Sequence, residues 1–294
     1  MKITRPRPQR TPLPLDEAGI PATPPRADAK PGGGEKVDLG KSYDTYFASG
    51  LYQSRYPRPN RRTLRTLEQL LPIEGRLLDY GAGEGRYCLS LAKSHAAHVV
   101  AVDISTTARF TLANRARDTN LADRVVICEP GDAVYHAEIS ERGGFDVALL
   151  GFGVLGHVAG RSRRLALLLE LRDALSPHGH LVLGLPNAMR RFRAEQARYA
   201  PRVQAGEFEE GDIQYERVSD AGTVPLFYHL FRRGEIQADL AEAGYVIERL
   251  TSESMLPETV VTKSKTLALL DDLACSALPA DRGYGYLVIA RPRN

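Results

Sequence analysis

The 294-residue chain is 43% hydrophobic and carries a formal net charge of +3 at pH 7. This length and apolar content suffice for a sizeable core in one large or two small domains, while the charge is too low to make nucleic acid the default partner. Because no apolar stretch is long enough to span a membrane and the first residues lack the apolar segment of a secretory signal, we expect a cytoplasmic protein without a membrane span.

The three cysteines, Cys88, Cys128 and Cys275, are too few and too far apart for a disulfide framework. Neither a CxxC motif nor a Cys/His spacing typical of a metal site occurs in the sequence. We therefore expect reduced cysteines, at least two of them in core elements, and no metal.

Residues 1–40 differ in composition from the rest of the chain. Eight of the 19 prolines fall within the first 31 residues, three glycines follow, and large apolar residues are rare. Such a segment buries too little apolar surface to offset the entropy lost on ordering. We predict a disordered Pro/Gly-rich tail.

From residue 41 onward the sequence is typical of one globular α/β domain. Residues 41–72 predict an N-terminal cap that ends in a helix, and short apolar runs then alternate with helical segments. The predicted strands are residues 76–80, 98–104, 124–130, 145–151 and 180–186, with helices at 86–95, 105–118 and 163–175. This alternation predicts βαβ units with right-handed crossovers and a parallel sheet.

A less regular insert, residues 188–227, interrupts the alternation, which then resumes. The later elements are predicted as a helix at 232–244, a strand at 245–252, a helix at 265–274 and a strand at 284–292.

The sequence DYGAGEG, residues 79–85, follows the first predicted strand and contains three glycines. A phosphate-binding P-loop needs a Lys-Ser/Thr pair that is missing here. A dinucleotide-binding turn needs a third glycine where this chain has Arg86 or, in the other register, Cys88. Both of these nucleotide-binding motifs are therefore excluded.

The remaining pattern, Asp79-x-Gly81-x-Gly83-x-Gly85, matches motif I of the class I S-adenosylmethionine (SAM)-dependent methyltransferases, and residues 45 to 294 resemble that family. The resemblance implies an α/β, Rossmann-like fold with a seven-stranded, mostly parallel sheet and helices on both faces. It also implies SAM as cofactor. Glycines at a strand-to-helix turn let the backbone approach a ligand closely, and Asp79 is suited to the α-ammonium group of SAM.

Further cofactor contacts are expected at the ends of the next two strands. Asp103 ends the second strand, where an acid can accept hydrogen bonds from ribose hydroxyls, and Ile104 follows it. In the family, an acid and the next backbone N–H after the third strand often contact adenine, and Asp132 and Ala133 occupy that place. The alternative for Asp103 and Asp132 is a helix or turn cap.

The loop after the fourth strand normally faces the methyl acceptor. It reads GFGVLGHV, residues 151–158, without the Asn/Asp-Pro-Pro-Tyr/Phe of many amino-group methyltransferases. This favours O-methylation of a small or medium-sized anionic acceptor, with insert 188–227 as a lid on the acceptor side. The candidate catalytic residues are His157, Tyr228 and His229; each is also consistent with packing alone.

Two other sets of residues have open interpretations. The tyrosines of the cap either close over the cofactor or belong to the core: Tyr43, Tyr46, Tyr52 and Tyr56. The arginines of the insert either receive an anionic acceptor or form a solvated helix face: Arg190, Arg191, Arg193, Arg198 and Arg202.

Four short stretches are also similar to the eukaryotic tRNA wobble-uridine carboxymethyl methyltransferases: SRYP, GAGEGRY, VLGH and FYHLFRRGEI. The chain lacks the tryptophans of that family. A tRNA acceptor is therefore the second hypothesis. The third is a non-catalytic methyltransferase relative that binds SAM, against which the intact motif residues argue.

Overall fold

The computed structural model describes residues 37–141, 143–219 and 222–293. The predicted disordered tail therefore lies, up to residue 36, outside the described residues. The described chain begins with three helices, α1 (Leu39–Ala48), α2 (Leu51–Arg55) and α3 (Arg61–Leu70). The Asn60 side chain begins α3 by accepting the backbone N–H groups of Arg62 and Thr63.

Strands and helices then alternate much as the apolar periodicity predicts. The strands are β1 (Arg76–Tyr80), β2 (His98–Val102), β3 (Val125–Cys128), β4 (Phe145–Leu150) and β5 (Leu175–Pro186). The helices between them are α4 (Cys88–Ser94), α5 (Thr106–Asp118), α6 (Ala133–Ile139) and α7 (Arg161–Ala174). A 3₁₀ turn, Val154–His157, lies between β4 and α7.

The carboxyl-terminal part completes the sheet. Its elements are α8 (Arg193–Gln204), β6 (Asp212–Ser219), β7 (Gly222–His229), α9 (Arg233–Glu242), β8 (Tyr245–Ser254), α10 (Glu258–Val261), α11 (Lys265–Ala277) and β9 (Gly285–Pro292). The strand order is β3-β2-β1-β4-β5-β9-β8, and β9 runs antiparallel to the other six strands. The predicted seven-stranded, mostly parallel sheet is confirmed.

Each face of the sheet is covered by helices because neighbouring residues of a strand point to opposite faces. In β1, Leu77 packs with α3, α4 and α5, whereas Leu78 packs on the other face with α6, α7 and α9. The three cysteines are buried and free, as predicted. In the described part of the chain no helix is long and apolar enough to cross a membrane.

The insert is more regular than the sequence indicates. It contains α8 and the hairpin β6–β7, which pairs from Asp212 with His229 to Ser219 with Gly222. Pro225 and the charged residues Glu216 and Arg217 are unusual in strands, so the sequence does not predict this hairpin. Both strands of a two-stranded sheet are edge strands, where proline is tolerated. The hairpin packs its Val224 and Leu226 against Tyr46 of α1.

A buried ionic cluster fastens the hairpin to α7 and α9. His229 lies 2.6 Å from a carboxylate oxygen of Asp212 through Nδ1 and 2.6 Å from one of Glu235 through Nε2. Arg164, itself 1% exposed, donates to Glu209 at 2.7 Å. Burial lowers the pKa of His229, but the bonds to Asp212 and Glu235 outweigh it and raise the pKa overall. An imidazolium that donates from both nitrogens satisfies this geometry.

We therefore expect the contribution of His229 to stability to depend on pH. Since its folded pKa is raised, the contribution is complete below the ordinary value of 6.5 and is lost as the pH rises through the folded value. His229→Gln should lower the free energy of unfolding by about 3 kcal/mol at ~pH 6 and by less at alkaline pH. Urea unfolding across this range measures both effects. His136→Gln, at an exposed histidine, is the control, and equal profiles for the two variants would refute the assignment.

Candidate active site

The glycine turn lies between the carboxyl end of β1 and the start of α4. Gly81 and Gly85 have φ of 81° and 87°, and a Cβ would lie 2.3 Å from Val154 Cγ2 at residue 81 and 2.4 Å from Leu112 Cδ1 at residue 85. The left-handed backbone and the close packing together favour glycine at these two positions. Gly83 instead faces the cap, with Phe47 and the Tyr52 hydroxyl 3.3 and 3.7 Å from a Cβ built on it.

Asp79 is the last buried residue of β1, and one of its carboxylate oxygens has no hydrogen-bond partner among the described residues. The residue is 2% exposed, and this oxygen is Oδ2. Burial raises the pKa of Asp79 to about 7, although hydrogen bonds from Cys88 act in the opposite direction. A buried carboxylate of this kind is stabilised by a cationic partner, and the contact of Asp79 with the α-ammonium group of SAM stays a prediction.

Asp103 joins the turn to the second strand. Its Oδ2 accepts the Gly83 N–H at 2.7 Å, and its Oδ1 accepts the Ser105 N–H at 2.8 Å. Each carboxylate oxygen keeps a further lone pair, so ribose hydroxyls can still donate to it. Ile104 beside it is 40% exposed and offers an apolar surface to a base. These residues fit the cofactor.

Asp132 caps α6 by accepting the Tyr135 N–H at 2.7 Å, and it also accepts the Glu129 N–H at 2.9 Å. Ala133 begins the helix and is exposed. The capping interpretation is thus realised for Asp132. The adenine contact of Asp132 and Ala133 stays a prediction.

His157 is enclosed by three groups rather than open to a ligand. Its Nδ1 donates to the Phe227 carbonyl at 2.7 Å, its Nε2 accepts the Tyr43 hydroxyl at 2.7 Å, and its ring stacks on Tyr228 at 4.5 Å. Burial lowers the pKa of His157 to about 4, so the ring is neutral. A catalytic role of His157 stays a prediction. Its contacts favour a role in positioning the Tyr228 ring and Tyr43 of the cap.

Tyr228 and His229 point in opposite directions because they are consecutive residues of β7. Tyr228 lies against Arg191 and His157, whereas His229 belongs to the ionic cluster behind the hairpin. Glu209, Asp212 and His229 also place potential metal ligands within 4.8 Å of one another, but Arg164 already neutralises Glu209. Of the two residues, Tyr228 is the one that lies beside Arg191 and the loop after β4, and its catalytic role stays a prediction.

An arginine–tyrosine cluster, Tyr56, Arg191, Tyr215, Arg217 and Tyr228, lies between the cap and the insert. The Arg191 guanidinium is 4.6 Å from the Tyr284 ring centroid and 5.5 Å from that of Tyr228, and its Nε has no hydrogen-bond partner in the described structure. Arg217 lies 4.8 Å from the Tyr215 ring. The sequence singles out Arg191 as one of the five insert arginines. It does not single out Arg217, because the strand that holds Arg217 has no recognisable strand pattern.

The other insert arginines lie elsewhere. Arg190, Arg193 and Arg198 are exposed, and Arg202 pairs with Glu207 at 2.7 Å. One cleft, which includes Glu170 and Pro177, lies at the amino ends of β4 and β5, away from the motif turn. A smaller cleft lies beside the turn itself and is lined by residues that include Tyr52, Glu84, Arg86 and Arg115.

Comparisons with known proteins identify the family and the fold of the chain. A methyltransferase domain family model matches residues 52–250. No curated protein has a matching sequence. Similar solved structures include the CcbJ methyltransferase from Streptomyces caelestis, with 15% identity, 81% of this chain and 91% of that one covered and a TM-score of 0.56.

Two further structures have the same fold. A SAM-dependent methyltransferase from Methanosarcina mazei has 18% identity, with 78% of this chain and 97% of that one covered and a TM-score of 0.57. The 1,6-didemethyltoxoflavin-N1-methyltransferase of Burkholderia thailandensis, solved with S-adenosylhomocysteine (SAH), has 17% identity, with 87% and 89% covered and a TM-score of 0.50.

The fold and the turn define a class I SAM-dependent methyltransferase. The family match spans more than half of the chain, and the chain belongs to the methyltransferase domain family. Its cofactor is SAM, and the enzymatic interpretation replaces the non-catalytic one.

The pKa of Asp79 makes cofactor affinity depend on pH. Without ligand the Asp79 carboxyl has a pKa of about 7, and an ammonium partner should lower it. SAH should therefore bind with its highest affinity above ~pH 7, and up to ~10-fold more weakly for each pH unit below that. Isothermal titration calorimetry between ~pH 5.5 and 8 measures this change. Asp79→Asn should bind weakly with a flat pH profile; a parent-like profile in that variant would assign the titration to another group, with Asp103 the first alternative.

Asp103→Ala should weaken SAH binding at least ~10-fold, because it removes acceptors for the ribose and frees the Gly83 N–H. Asp132→Ala is the companion variant. Asp132→Ala should also lose about 1 kcal/mol of unfolding free energy, because Asp132 is the N-cap of α6. An unchanged SAH affinity for Asp132→Ala would restrict Asp132 to capping, and an unchanged affinity for Asp103→Ala would contradict the ribose contact.

Proposed function

We propose that this methyltransferase transfers the methyl group to an oxygen of a small or medium-sized anionic acceptor bound between the cap and the insert. The observation that carries the proposal is the Arg191 guanidinium, held against Tyr284 and Tyr228 with its Nε unpaired. An aromatic enclosure with an unpaired guanidinium nitrogen suits a carboxylate or a similar oxyanion.

The electrostatic balance of the arginine–tyrosine cluster supports an anion. Burial alone raises the pKa of Tyr56, yet the guanidinium groups of Arg217, Arg55 and Arg191 bring it below the ordinary value. The surroundings of Tyr56 are therefore strongly positive.

The nearby acids compensate this charge incompletely. Burial and mutual repulsion raise the pKa values of Glu253 and Glu258, so the pair favours holding a proton over carrying two negative charges. An anionic acceptor would balance the remaining positive charge.

The engaged histidines favour an acceptor that is already ionised. SAM supplies an electrophilic methyl group, and a carboxylate attacks it without a general base, whereas a neutral hydroxyl needs one. His157 is neutral with both nitrogens bonded inside the protein, and His229 is bonded to two carboxylates. The chain's own contribution is then to orient the acceptor and to exclude water between the cap and the hairpin.

A tRNA acceptor has one observation in its favour. Arg190, Arg193 and Arg198 are exposed on the insert, where phosphates can reach them. Binding through phosphates falls steeply with salt concentration, so tRNA titrations at several salt concentrations separate this hypothesis from a small acceptor.

The proposal predicts a methyl ester as product. Extracts of metabolites and of RNA, incubated with enzyme and methyl-labelled SAM, should yield labelled small molecules whose label is released as methanol by mild base. A base-stable product would contradict the carboxylate acceptor, and label in RNA alone would favour tRNA.

Arg191→Gln should raise the KM for that acceptor ~10-fold or more while SAH affinity stays within ~2-fold, because the guanidinium contacts the acceptor rather than the cofactor. Arg190→Gln, at the exposed neighbouring arginine, is the matched control and should change neither constant. An unchanged acceptor KM for Arg191→Gln would refute the anion site.

A further inference from the structure

Arg86 follows the glycine turn directly, and its charged end is buried. Both terminal nitrogens are inaccessible and have no hydrogen-bond partner among the described residues. The guanidinium carbon lies 4.7 Å from the Tyr52 ring centroid, 5.3 Å from that of Tyr56 and 4.6 Å from that of Phe152. Aromatic faces stabilise the charge, but they leave the N–H donors unsatisfied.

The position of Tyr52 relates Arg86 to the cofactor turn. The Tyr52 ring lies against the guanidinium, and its hydroxyl approaches Gly83, the turn residue that faces the cap. The Arg86 charge also acts on Asp79, whose pKa it lowers, although burial dominates that pKa. Arg86 is thus held on the cap side of the turn and within electrostatic reach of the carboxylate at its base.

Among the described residues, two buried groups of opposite charge at the two ends of the turn therefore have neither a hydrogen bond nor an ion pair: Asp79 Oδ2 and the terminal nitrogens of Arg86. Leaving buried charged groups without partners costs free energy, so this arrangement indicates a ligand that completes both. The amino acid end of SAM is a zwitterion with an ammonium and a carboxylate on the same carbon.

We propose that Arg86 binds the α-carboxylate of SAM while Asp79 binds its α-ammonium group. The guanidinium fork matches a carboxylate in two parallel hydrogen bonds, and the rings of Tyr52, Tyr56 and Phe152 fix its plane. The assignment concerns the cofactor alone and does not depend on the identity of the acceptor.

The neighbouring cation Arg115 has a different role. It lies beside the same cleft, but it already pairs with Glu84 Oε2 at 2.8 Å and bonds to the Glu84 carbonyl. Arg115→Gln is therefore the matched control for charge removal near the turn.

Calorimetry with three ligands tests the proposal without turnover. SAH carries both charged groups, its decarboxylated analogue keeps only the amine, and methylthioadenosine lacks both. Arg86→Gln should weaken SAH binding ~10- to 100-fold and leave the other two ligands within ~2-fold. Asp79→Asn should weaken SAH and the decarboxylated analogue but not methylthioadenosine, and Arg86→Lys should recover part of the SAH affinity.

The alternatives give different results. If Arg86 contacts the acceptor, Arg86→Gln leaves SAH affinity unchanged, which overturns the proposal. If Arg86 only supports the fold of the turn, all three ligands weaken together, which also overturns it. Retained methylthioadenosine binding shows that the variant is folded.

Discussion

The hydrogen bond from the Gly83 N–H to the Asp103 carboxylate is the interaction on which the site depends. It fixes the glycine turn of β1 against the end of β2, and the other oxygen of Asp103 holds the Ser105 N–H at the entrance to α5. The Ser105 hydroxyl donates in turn to Asp44 of α1, which brings the cap over the turn. The Asp103 carboxylate thus links the turn to the second strand, and Ser105 links both of them to the cap.

The cap and the insert surround this turn with guanidinium groups on aromatic rings. Desolvating a charge without a partner is costly, and cation–π contacts recover only part of that cost. Among the described residues, Arg86 and Arg191 both retain nitrogens without a hydrogen-bond partner in such surroundings. If the proposed anionic groups bind there, they would offset a desolvation cost that the protein already carries, which suits this region better to binding than to stability.

The pattern of apolar residues predicted the sheet well, because parallel strands are buried on both faces and therefore consist of continuous apolar runs. The glycine turn was also predictable, because all the residues of its motif lie within seven consecutive positions, 79–85. The hairpin of the insert was not, because Glu216, Arg217 and Pro225 are unusual in a strand and find their partners only in tertiary structure. The opposite orientations of Tyr228 and His229 depend on that hairpin, so sequence alone left them as an undivided pair.

Two phenylalanines with a strained backbone lie against the guanidinium groups of Arg86 and Arg191. Phe152, after β4, and Phe192, before α8, have φ of 58° and 52°, a region that non-glycine residues seldom adopt. Glycine would remove the strain at either position, but it would also remove the ring. The Phe152 ring lies 4.6 Å from the Arg86 guanidinium and the Phe192 ring 5.5 Å from that of Arg191. In each case the left-handed residue presents an aromatic ring to a half-buried arginine, which is a physical reason for the site to retain a strained phenylalanine at both places.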